Sequence, residues 1–349
     1  MARYKMSDVV VEINEREINP ANSKYDRFVG LEHYISGDVI IRNYGSTERL
    51  ESTMKVFHSG DILVARRNVY LKRASMVDFD GITSGDSIVL RAKNPVIGRI
   101  LPFILNTDEF WDFADKYSDG TMSKRLSPKI LMQYEFELPD EDKLDEFSEI
   151  LWALNETKES YQQLFQQTDE LVKSQFIEMF GDPNDVEISS LVPEAFIIRD
   201  DLRKPLNDGV RATMKTGKLF PYYGANGKVD EINQYLMDCD ALCLAEDCGA
   251  YGAGESSSYI VSGKVWVSNH AHVLIPKENC NIRYANEFFR LLDITKYISG
   301  STRAKLTQGQ LKNLPFMIPS VDEQARFCAF VEQSDKSKYS NQIGGVCYA

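Results

Sequence analysis

Lysine and arginine side chains gather in several short clusters along this 349-residue chain. Such cations could bind phosphate, because recognition of a nucleic acid needs charged contacts that position the protein as well as contacts to base edges that specify sequence. The simpler interpretation is that charged residues only solvate a surface, as most do. The candidate contacts are Arg66, Arg67, Lys72 and Arg73; Lys124, Arg125 and Lys129; Arg203, Lys204, Arg211, Lys215 and Lys218; and Thr302, Arg303 and Lys305.

Two of these clusters belong to a sequence segment that occurs twice at a constant offset of 180 residues. We call this segment the repeated phrase. The first copy reads GTMSKRLSPKILMQYEFELP from Gly120, and the second reads GSTRAKLTQGQLKNLPFMIP from Gly300. The gap-free match extends from residue 116 to residue 147 of the first copy. A loop that contains a glycine, hydroxyl groups and two cations is suited to binding a phosphate group. Because self-similarity of this kind indicates a repeated structural unit, the phrase also predicts a duplicated domain.

The segment PYYGANG, from Pro221 to Gly227, offers a second kind of contact. The ring of Tyr223 could stack on a base, and the amide of Asn226 could read adenine. The alternative is a structural turn, since Asn-Gly is turn chemistry and a tyrosine in a turn usually packs. We assign Gly224 and Gly227 to the turn, and we retain Tyr223 and Asn226 as candidate contacts.

Histidines and cysteines in the second half raise the question of a zinc site. His270 and His272 alternate along a predicted strand, and Cys239, Cys243 and Cys248 precede them. The cysteine spacing fits poorly with the paired C-x2-4-C ligands that are typical of zinc. We therefore predict buried cysteines, a histidine whose ring nitrogens are hydrogen-bonded, and no metal site.

Motifs of catalysis are absent from the sequence. PDEDK, from Pro139, resembles the metal-binding carboxylates of a nuclease, but its residues are contiguous at a predicted helix start, where the helix dipole explains the acids. GAYGAGES lacks the GKS or GKT of a phosphate loop, and there is no NPPY-type tetrapeptide for amino-methylation. The sequence predicts no catalytic residue.

The candidate contacts must be positioned by two mixed α/β lobes and by a long helix between them. The connector places apolar residues at intervals of three, four and seven before the helix-ending Gly181 and Pro183. Gly344 and Gly345 predict that a second helix breaks after about 18 residues. That break would leave the first helix without an internal mate from Tyr161 to Met179. The predicted packing positions are Phe147, Leu151, Leu154, Phe165 and Val172 on the first helix, and Phe327 and Val331 on the second.

Acidic charge is concentrated in the connector. Residues 140–186 hold 13 acidic and three basic residues, whereas the lobes on either side are near neutral and the whole chain carries a net charge of −12. Salt screens charges that lie more than about 8–10 Å apart, so a phosphate interacts mainly with the cations of the nearest cluster. The acidic total therefore does not exclude a nucleic acid as partner.

Composition indicates an ordinary globular protein, with 43% hydrophobic and 26% charged residues. No apolar run approaches the ~18 residues that span a bilayer, and the start of the sequence lacks an export signal. We expect a cytoplasmic protein without a membrane partner, whose six cysteines are reduced.

A set of segments spread over both lobes carries a family resemblance. The first lobe contains FVGLEHYISGDVII and GDILVARRNVYLKRA, and SQFIEMFGDP closes the first helix. The second lobe contains RKPLN, PYYGANGKVDEI, VWVSNHAHVL and YISGSTRAKLTQGQLKNLPFMIPSVDEQ. Over residues 1–338 the chain resembles the specificity subunit of type I restriction-modification systems. It departs at the end, because the second long helix of that family normally runs on.

The resemblance implies an α/β (α+β) fold, in which two similar target recognition domains are joined by long antiparallel coiled-coil helices with pseudo-twofold symmetry. It implies that each domain reads half of a split, asymmetric site in double-stranded DNA, and that the helices set the distance between the halves. The implied partners are methyltransferase subunits, expected to number two, and restriction subunits through them. S-adenosylmethionine would bind the methyltransferase and not this chain. The predicted boundaries are 1–139 and 184–320 for the recognition domains, 140–183 for the spacer helix, and 321–349 for a shortened second helix with an irregular tail.

Two other functions are compatible with the sequence. The chain could be a small DNA-modifying enzyme, which methylation by the purified chain would establish. It could also be a coiled-coil scaffold that gathers proteins without binding DNA. The unmated helix stripe further predicts association with a partner subunit or self-association with a second copy.

Overall fold

Two compact units, Met1–Ser160 and Tyr161–Ala349, make up the chain in a computed structural model. The structure describes residues 1–120, 123–247, 250–298 and 304–346, with side chains through Lys336. Each unit mixes short helices with mainly antiparallel strands.

The first unit contains a two-, a four- and a five-stranded sheet, with the orders β1-β11, β2-β10-β7-β8 and β3-β6-β9-β4-β5. Its strands are β1 (Ala2–Lys5), β2 (Val10–Ile13), β3 (Arg16–Glu17), β4 (Arg27–Val29), β5 (Gly45–Ser46), β6 (Met54–Phe57), β7 (Ile62–Ala65), β8 (Ala74–Met76), β9 (Gly81–Thr83), β10 (Ser87–Ala92) and β11 (Glu135–Leu138). Its short helices are α1 (Met6–Val9), α2 (Pro95–Ile104), α3 (Asp108–Tyr117) and α4 (Pro128–Leu131).

Strand β7 separates two apolar clusters of the first unit. Its sequence, ILVA, is buried at every position, because successive side chains of a strand point to opposite faces and both faces are covered here. Ile62 and Val64 pack with the helices, whereas Leu63 and Ala65 pack with the five-stranded sheet. A strand that is apolar throughout is therefore explained by burial on two sides.

The long helix α5 (Leu144–Phe180) begins in the first unit and ends in the second. The second unit has the sheet orders β12-β19-β16-β17 and β14-β13-β18-β15. Its strands are β12 (Phe196–Ile198), β13 (Phe220–Gly224), β14 (Gly227–Ile232), β15 (Met237–Asp238), β16 (Ala241–Ala245), β17 (Ser258–Val261), β18 (Lys264–Val267) and β19 (Ala271–Pro276). Its helices are α6 (Val192–Ala195), α7 (Asp208–Thr213), α8 (Ile282–Leu291), α9 (Gln308–Lys312) and α10 (Val321–Val346).

The duplication seen in the repeated phrase extends into the sheets. Strand β16 is the counterpart of β7, since Leu242 and Leu244 pack with helices while Ala241 and Cys243 pack with the other sheet. The pairing order also agrees, because β16 lies between β19 and β17 as β7 lies between β10 and β8. The prediction of two similar mixed α and β units with long helices is confirmed.

Helix α5 ends where the sequence predicts. Gly181 adopts a left-handed conformation, with φ of 85°, directly after the last helical residue. Glycine is the residue that enters this region without a Cβ penalty, which makes it the common helix terminator. Pro183 follows two positions later.

The predicted packing positions of the long helices divide between the two cores. Phe147 and Leu151 pack on the first unit's core, while Val172, Phe327 and Val331 belong to the second unit's core. Phe165 is half-buried.

Leu154 departs from the predicted seam. It is 58% exposed, and the neighbouring Asn155 is buried in its place. The apolar face of α5 has shifted by one residue there, because Asn155 satisfies its amide through Glu159 one turn further on.

The stretch of α5 from Tyr161 to Met179 does not lack an internal mate as a whole. Phe176 is fully buried, and Met179 packs on the same core. Rings of α8 and α10 cover Phe176, with centroids of Tyr284 at 5.5 Å and Phe327 at 5.3 Å. The prediction of an uncovered stripe up to Met179 is wrong because α8 supplies aromatic surface that the sequence pattern of the two long helices does not reveal.

The second long helix also runs further than its glycines predict. Helix α10 continues through Gly344 and Gly345 to Val346, so the predicted break after about 18 residues is wrong. Glycine costs roughly 1 kcal/mol relative to alanine in a helix but does not forbid helical dihedrals. Both glycines lie in the last turn, where the helix ends shortly afterwards.

The predicted domain boundaries, 1–139, 140–183, 184–320 and 321–349, stay predictions, since the two compact units divide the chain within α5. Within the part of the chain that is described, no helix combines the length and apolarity needed to cross a bilayer.

Candidate nucleic-acid interface

In the first unit, β7 runs directly into two arginines, Arg66 and Arg67. The repeated phrase is hydrogen-bonded to this strand end, because the Leu126 N–H donates to the Arg66 carbonyl at 2.8 Å. A single antiparallel bridge joins the backbones of Arg67 and Arg125. The fold therefore brings together two predicted phosphate contacts that are 58 positions apart in the sequence.

These two arginines share one carboxylate. Arg125 Nη2 lies 3.0 Å from Asp86 Oδ1, and Arg67 Nη1 lies 3.9 Å from Asp86 Oδ2. Both guanidinium groups are about half exposed. Two cations that share one acid keep a net positive charge, which an arriving phosphate can neutralise.

The second unit repeats this connection at the same offset. The Leu306 N–H donates to the Glu246 carbonyl at 2.8 Å, and an antiparallel bridge joins Asp247 to Lys305. Both members of each contact differ by 180 from their counterparts in the first unit. The charges differ, because the strand end carries two acids where the first unit carries two arginines.

Glu246 is the centre of an ion-pair network in the second unit. Its side chain is 13% exposed and lies 2.7 Å from Lys305 Nζ; it also pairs with Arg203. Burial raises the pKa of Glu246, but hydrogen bonds from Lys305 and Arg203 outweigh it and hold the pKa below its usual 4.5. Arg203 is 15% exposed and also lies 3.1 Å from Asp200. The predicted contacts Arg203 and Lys305 are thus both engaged within the unit.

His272 joins this network from β19. The fully buried ring donates from Nε2 to the Leu306 carbonyl at 2.7 Å, and Nδ1 lies 2.8 Å from Asp200 Oδ2. Burial raises the pKa of Asp200, but its hydrogen bond with His272 and the charges of His272 and Arg203 hold the pKa below the usual 3.8. The predicted hydrogen-bonded histidine is confirmed, and its bonds fix the repeated phrase to the sheet.

The other predicted cations of the first unit have different surroundings. Lys72 pairs with Asp108, and Lys124 pairs with Asp115. Arg73 donates to the carbonyls of Leu31 and Arg67, at 2.9 and 3.1 Å. Within the described residues, Arg66, Lys129 and Lys204 form no ion pair. Thr302 and Arg303 lie outside the described residues.

The remaining cations of the second unit pair with nearby acids on and beside α7. Arg211 pairs with Asp208, and Lys215 Nζ lies 2.8 Å from Asp230. The Lys215 hydrogen bond holds the pKa of Asp230 below its usual range. Lys218 lies over the ring of Phe220.

Tyr223 and Asn226 occupy the hairpin between β13 and β14. The Tyr223 ring stacks on Tyr259, with centroids 5.5 Å apart and planes 16° from parallel. Asn226 precedes Gly227, whose φ of 117° provides the turn. Tyr223 is half-buried, so only one part of its ring is open to a ligand. Contacts of either residue with DNA stay predictions.

Cysteines and histidines do not gather into a ligand set in the described chain, which holds no group of three or more potential metal ligands. Cys243 is buried, and burial raises its pKa to about 12. His270 Nδ1 instead lies 2.6 Å from Asp247. Cys248 is outside the described residues.

Sequence reasoning did not single out Asp86, Asp200 or Glu246. The signal that could have found Glu246 is the same offset of 180, which places Glu246 and Asp247 after β16 as Arg66 and Arg67 stand after β7. Asp86 and Asp200 follow no such relation, since their roles depend on partners that the fold brings close.

Comparison with known proteins agrees with this architecture. Residues 206–343 match the type I restriction modification DNA specificity domain. A putative type I restriction enzyme specificity subunit of Haemophilus influenzae is 30% identical over 157 residues, which are 45% of this chain and 39% of that protein. The specificity subunit of the type I restriction enzyme EcoprrI of Escherichia coli is 24% identical over 117 residues, 34% of this chain and 28% of that protein.

A solved structure shows the same fold. The S subunit of a type I restriction-modification system from M. genitalium superposes with a TM-score of 0.54 and 14% identity, over 99% of this chain and 92% of that one. The duplicated pair of mixed α and β units in this chain therefore shares its fold with that S subunit. The chain is similar to this family of specificity subunits, most directly over residues 206–343. The aligned segments span less than half the length of the curated relatives.

Proposed function

We propose that this chain reads a specific sequence in double-stranded DNA on behalf of a type I restriction-modification complex. The observation that carries the proposal is the duplicated connection at the strand ends, where Arg67 meets Arg125 and Asp247 meets Lys305. One geometry is built twice with different side chains. Two readers of related construction but different chemistry would suit two different DNA half-sites.

The DNA site would be split and asymmetric, with one half read by each unit. The continuous helix α5, of 37 residues, supports a fixed number of base pairs between the halves. A helix rises 1.5 Å per residue and cannot change its length without losing hydrogen bonds. Half-site spacing would follow from helix length, as it follows from protein geometry in other paired DNA readers.

Methyltransferase subunits, expected to number two, would dock on α5, and restriction subunits would join through them. Four apolar residues of this helix are exposed: Ile150 by 51%, Leu154 by 58%, Leu164 by 36% and Leu171 by 53%. Ile150, Leu164 and Leu171 are separated by multiples of seven, the repeat of a helix-packing seam. The same face could pair with a second copy of this chain, which sedimentation of the purified protein would reveal as a dimer.

Catalysis would belong to the partner subunits in this proposal, as would the binding of S-adenosylmethionine. A binding role is supported by the buried charged groups of the second unit, which pair with one another and stabilise loops. A DNA reader of this kind would act in the cytoplasm.

Selection from a pool of random-sequence duplexes tests the proposal. We expect the purified full chain to enrich duplexes with two short conserved blocks that are separated by unspecified base pairs. The absence of any enrichment would contradict DNA reading by this chain. A single contiguous motif would contradict the split site.

Lys129 provides a test of phosphate contact in the first unit. It is exposed and forms no ion pair within the described residues, so Lys129→Ala is expected to reduce the slope of log affinity against log salt by about 1. The matched control is Lys143→Ala, because Lys143 is also exposed but lies among the acids of the connector. Fluorescence anisotropy across a salt series measures both; equal slopes for wild type and Lys129→Ala would rule out this contact.

A further inference from the structure

The turn between β7 and β8 exposes two large apolar side chains. It contains a single 3-10 turn, Val69–Leu71, whose first residue is buried at 1% exposure. Tyr70 is 63% exposed and Leu71 is 38% exposed. We call Tyr70 and Leu71 the tip. Adjacent exposed apolar side chains that have charged residues around them can mark a site of contact with another molecule.

The backbone on both sides of the tip is held in an unusual conformation. Asn68 has a φ of 56° and Lys72 a φ of 46°, and they are the only non-glycine residues with positive φ in the described chain. Such residues are strained, and they persist where the surroundings fix them, often at functional sites.

Three hydrogen bonds fix the turn that carries the tip. The Asn68 N–H donates to the Lys124 carbonyl at 2.9 Å, and the Ser123 hydroxyl donates to Asn68 Oδ1 at 2.8 Å. The Ser36 hydroxyl donates to the Lys72 carbonyl at 3.3 Å. The turn that carries the tip is therefore attached to the repeated phrase on one side and to Ser36 on the other.

Four cations flank the tip in the sequence RRNVYLKR. Arg66 forms no ion pair in the described chain, and Arg67 shares its acid with Arg125. Lys72 pairs with Asp108, whose side chain is 85% exposed, and exposed pairs of this kind contribute little. A phosphate could replace Asp108 at small cost. The charges therefore favour a polyanion over a protein surface as the partner of the tip.

We propose that the tip enters a groove of duplex DNA, where the Tyr70 ring and Leu71 contact bases and sugars while the flanking cations bind phosphates. Apolar side chains inserted into a groove add affinity without ion release. This inference rests on the proposed function and names the element of the first unit that contacts the DNA interior.

The second unit does not present the same tip in its described residues. After β16 come Glu246 and Asp247 in place of the arginines, and the nearest tyrosine, Tyr251, is 3% exposed. The apolar contact therefore belongs to the half-site that the first unit reads.

Tyr70→Ala tests the contact on duplexes that carry the motif enriched by selection. Loss of one aromatic ring that is buried in the groove lowers affinity about 5- to 150-fold. The slope against salt should not change, because no phosphate contact is lost. Tyr70→Phe should bind like wild type, since the ring and not the hydroxyl makes the contact. Thermal unfolding should be unaffected in both variants because Tyr70 is mostly exposed.

Ile18→Ala is the matched control, because Ile18 is 77% exposed in the same unit and lies in a stretch, residues 15–23, that contains a single cation, Arg16. Its affinity should equal that of wild type. If wild type binds the duplex and Tyr70→Ala binds equally well, the proposed tip contact is wrong while the proposed function stands. If wild type binds no duplex at all, the proposed function itself fails.

Discussion

Replacing Phe176 by alanine is expected to lower the free energy of unfolding of the second unit by about 3–5 kcal/mol, the range for truncating a buried aromatic ring. Phe176 has no exposed surface. Its ring centroid lies 5.0 Å from Phe180, 5.5 Å from Tyr284 and 5.3 Å from Phe327. These rings come from α5, α8 and α10, so the cavity left by the mutation would loosen the attachment of α5 to the second unit.

Leu171→Ala is the control for this experiment. Leu171 lies on the same helix but is 53% exposed, so its truncation is expected to change the unfolding free energy by less than about 0.5 kcal/mol. Urea unfolding followed by circular dichroism measures both variants. A loss below about 1 kcal/mol for Phe176→Ala would mean that Phe176 is not in the core.

Glu246→Ala is expected to cost about 3 kcal/mol of unfolding free energy, because removing one partner leaves a buried charge only partly compensated. The charge left behind is that of Arg203, whose remaining carboxylate partner within the described residues is Asp200 at 3.1 Å. Lys305 and Leu306 would lose their attachment to the strand end. We therefore expect the proposed DNA binding to weaken as well, through displacement of the repeated phrase.

The control for Glu246 is an exposed pair of the same chemistry and distance. Glu231 Oε1 lies 2.7 Å from Lys228 Nζ, and both side chains are about half exposed. Glu231→Ala is expected to cost less than about 1 kcal/mol because water screens the pair. Equal losses for Glu231→Ala and Glu246→Ala would show that burial of the network has no energetic consequence.

Acid should weaken the same network. The folded-state pKa values of Glu246 and Asp200 are lowered, so their contribution to stability is present above the usual values of 4.5 and 3.8 and is lost as pH falls through the lowered values. The unfolding free energy of wild type should be steady from neutral pH to about pH 5 and fall below it. Glu246→Gln removes one of the two acids and should lose less stability on acidification. An equal loss in both proteins would contradict the assignment.

Much of the architecture is predictable from the sequence because the repeat is explicit. The offset of 180 residues gives two related units, and Gly181 with Pro183 gives the end of α5. These signals are explicit in the sequence, so they can be recognised without knowledge of the tertiary contacts. The offset also holds for contacts that the sequence does not display, such as Arg67 with Arg125 and Asp247 with Lys305.

Side-chain partners are harder to predict, for reasons that the structure makes specific. A search for apolar residues seven positions apart connects Val172 with Met179 and misses Phe176. Phe176 nevertheless lies on the same helix face as Val172, because it is four positions further along the helix. Leu154 fits the spacing yet is exposed, since a seam can shift by one residue where a polar group finds its own partner.

Charge clusters have a related ambiguity. Arg203 and Lys305 look like free cations in the sequence, but both pair with Glu246 in the fold. A cation count alone cannot tell a phosphate contact from half of an internal ion pair, because the acid that neutralises it lies far away in the sequence.

Sequencing the methylated bases of cells that express this chain together with the methyltransferase proposed as its partner tests the central claim most directly. We predict a methylated motif that depends on this chain and has two conserved blocks, separated by a constant number of unspecified bases. A contiguous motif, or the same methylation in cells without this chain, would contradict the account.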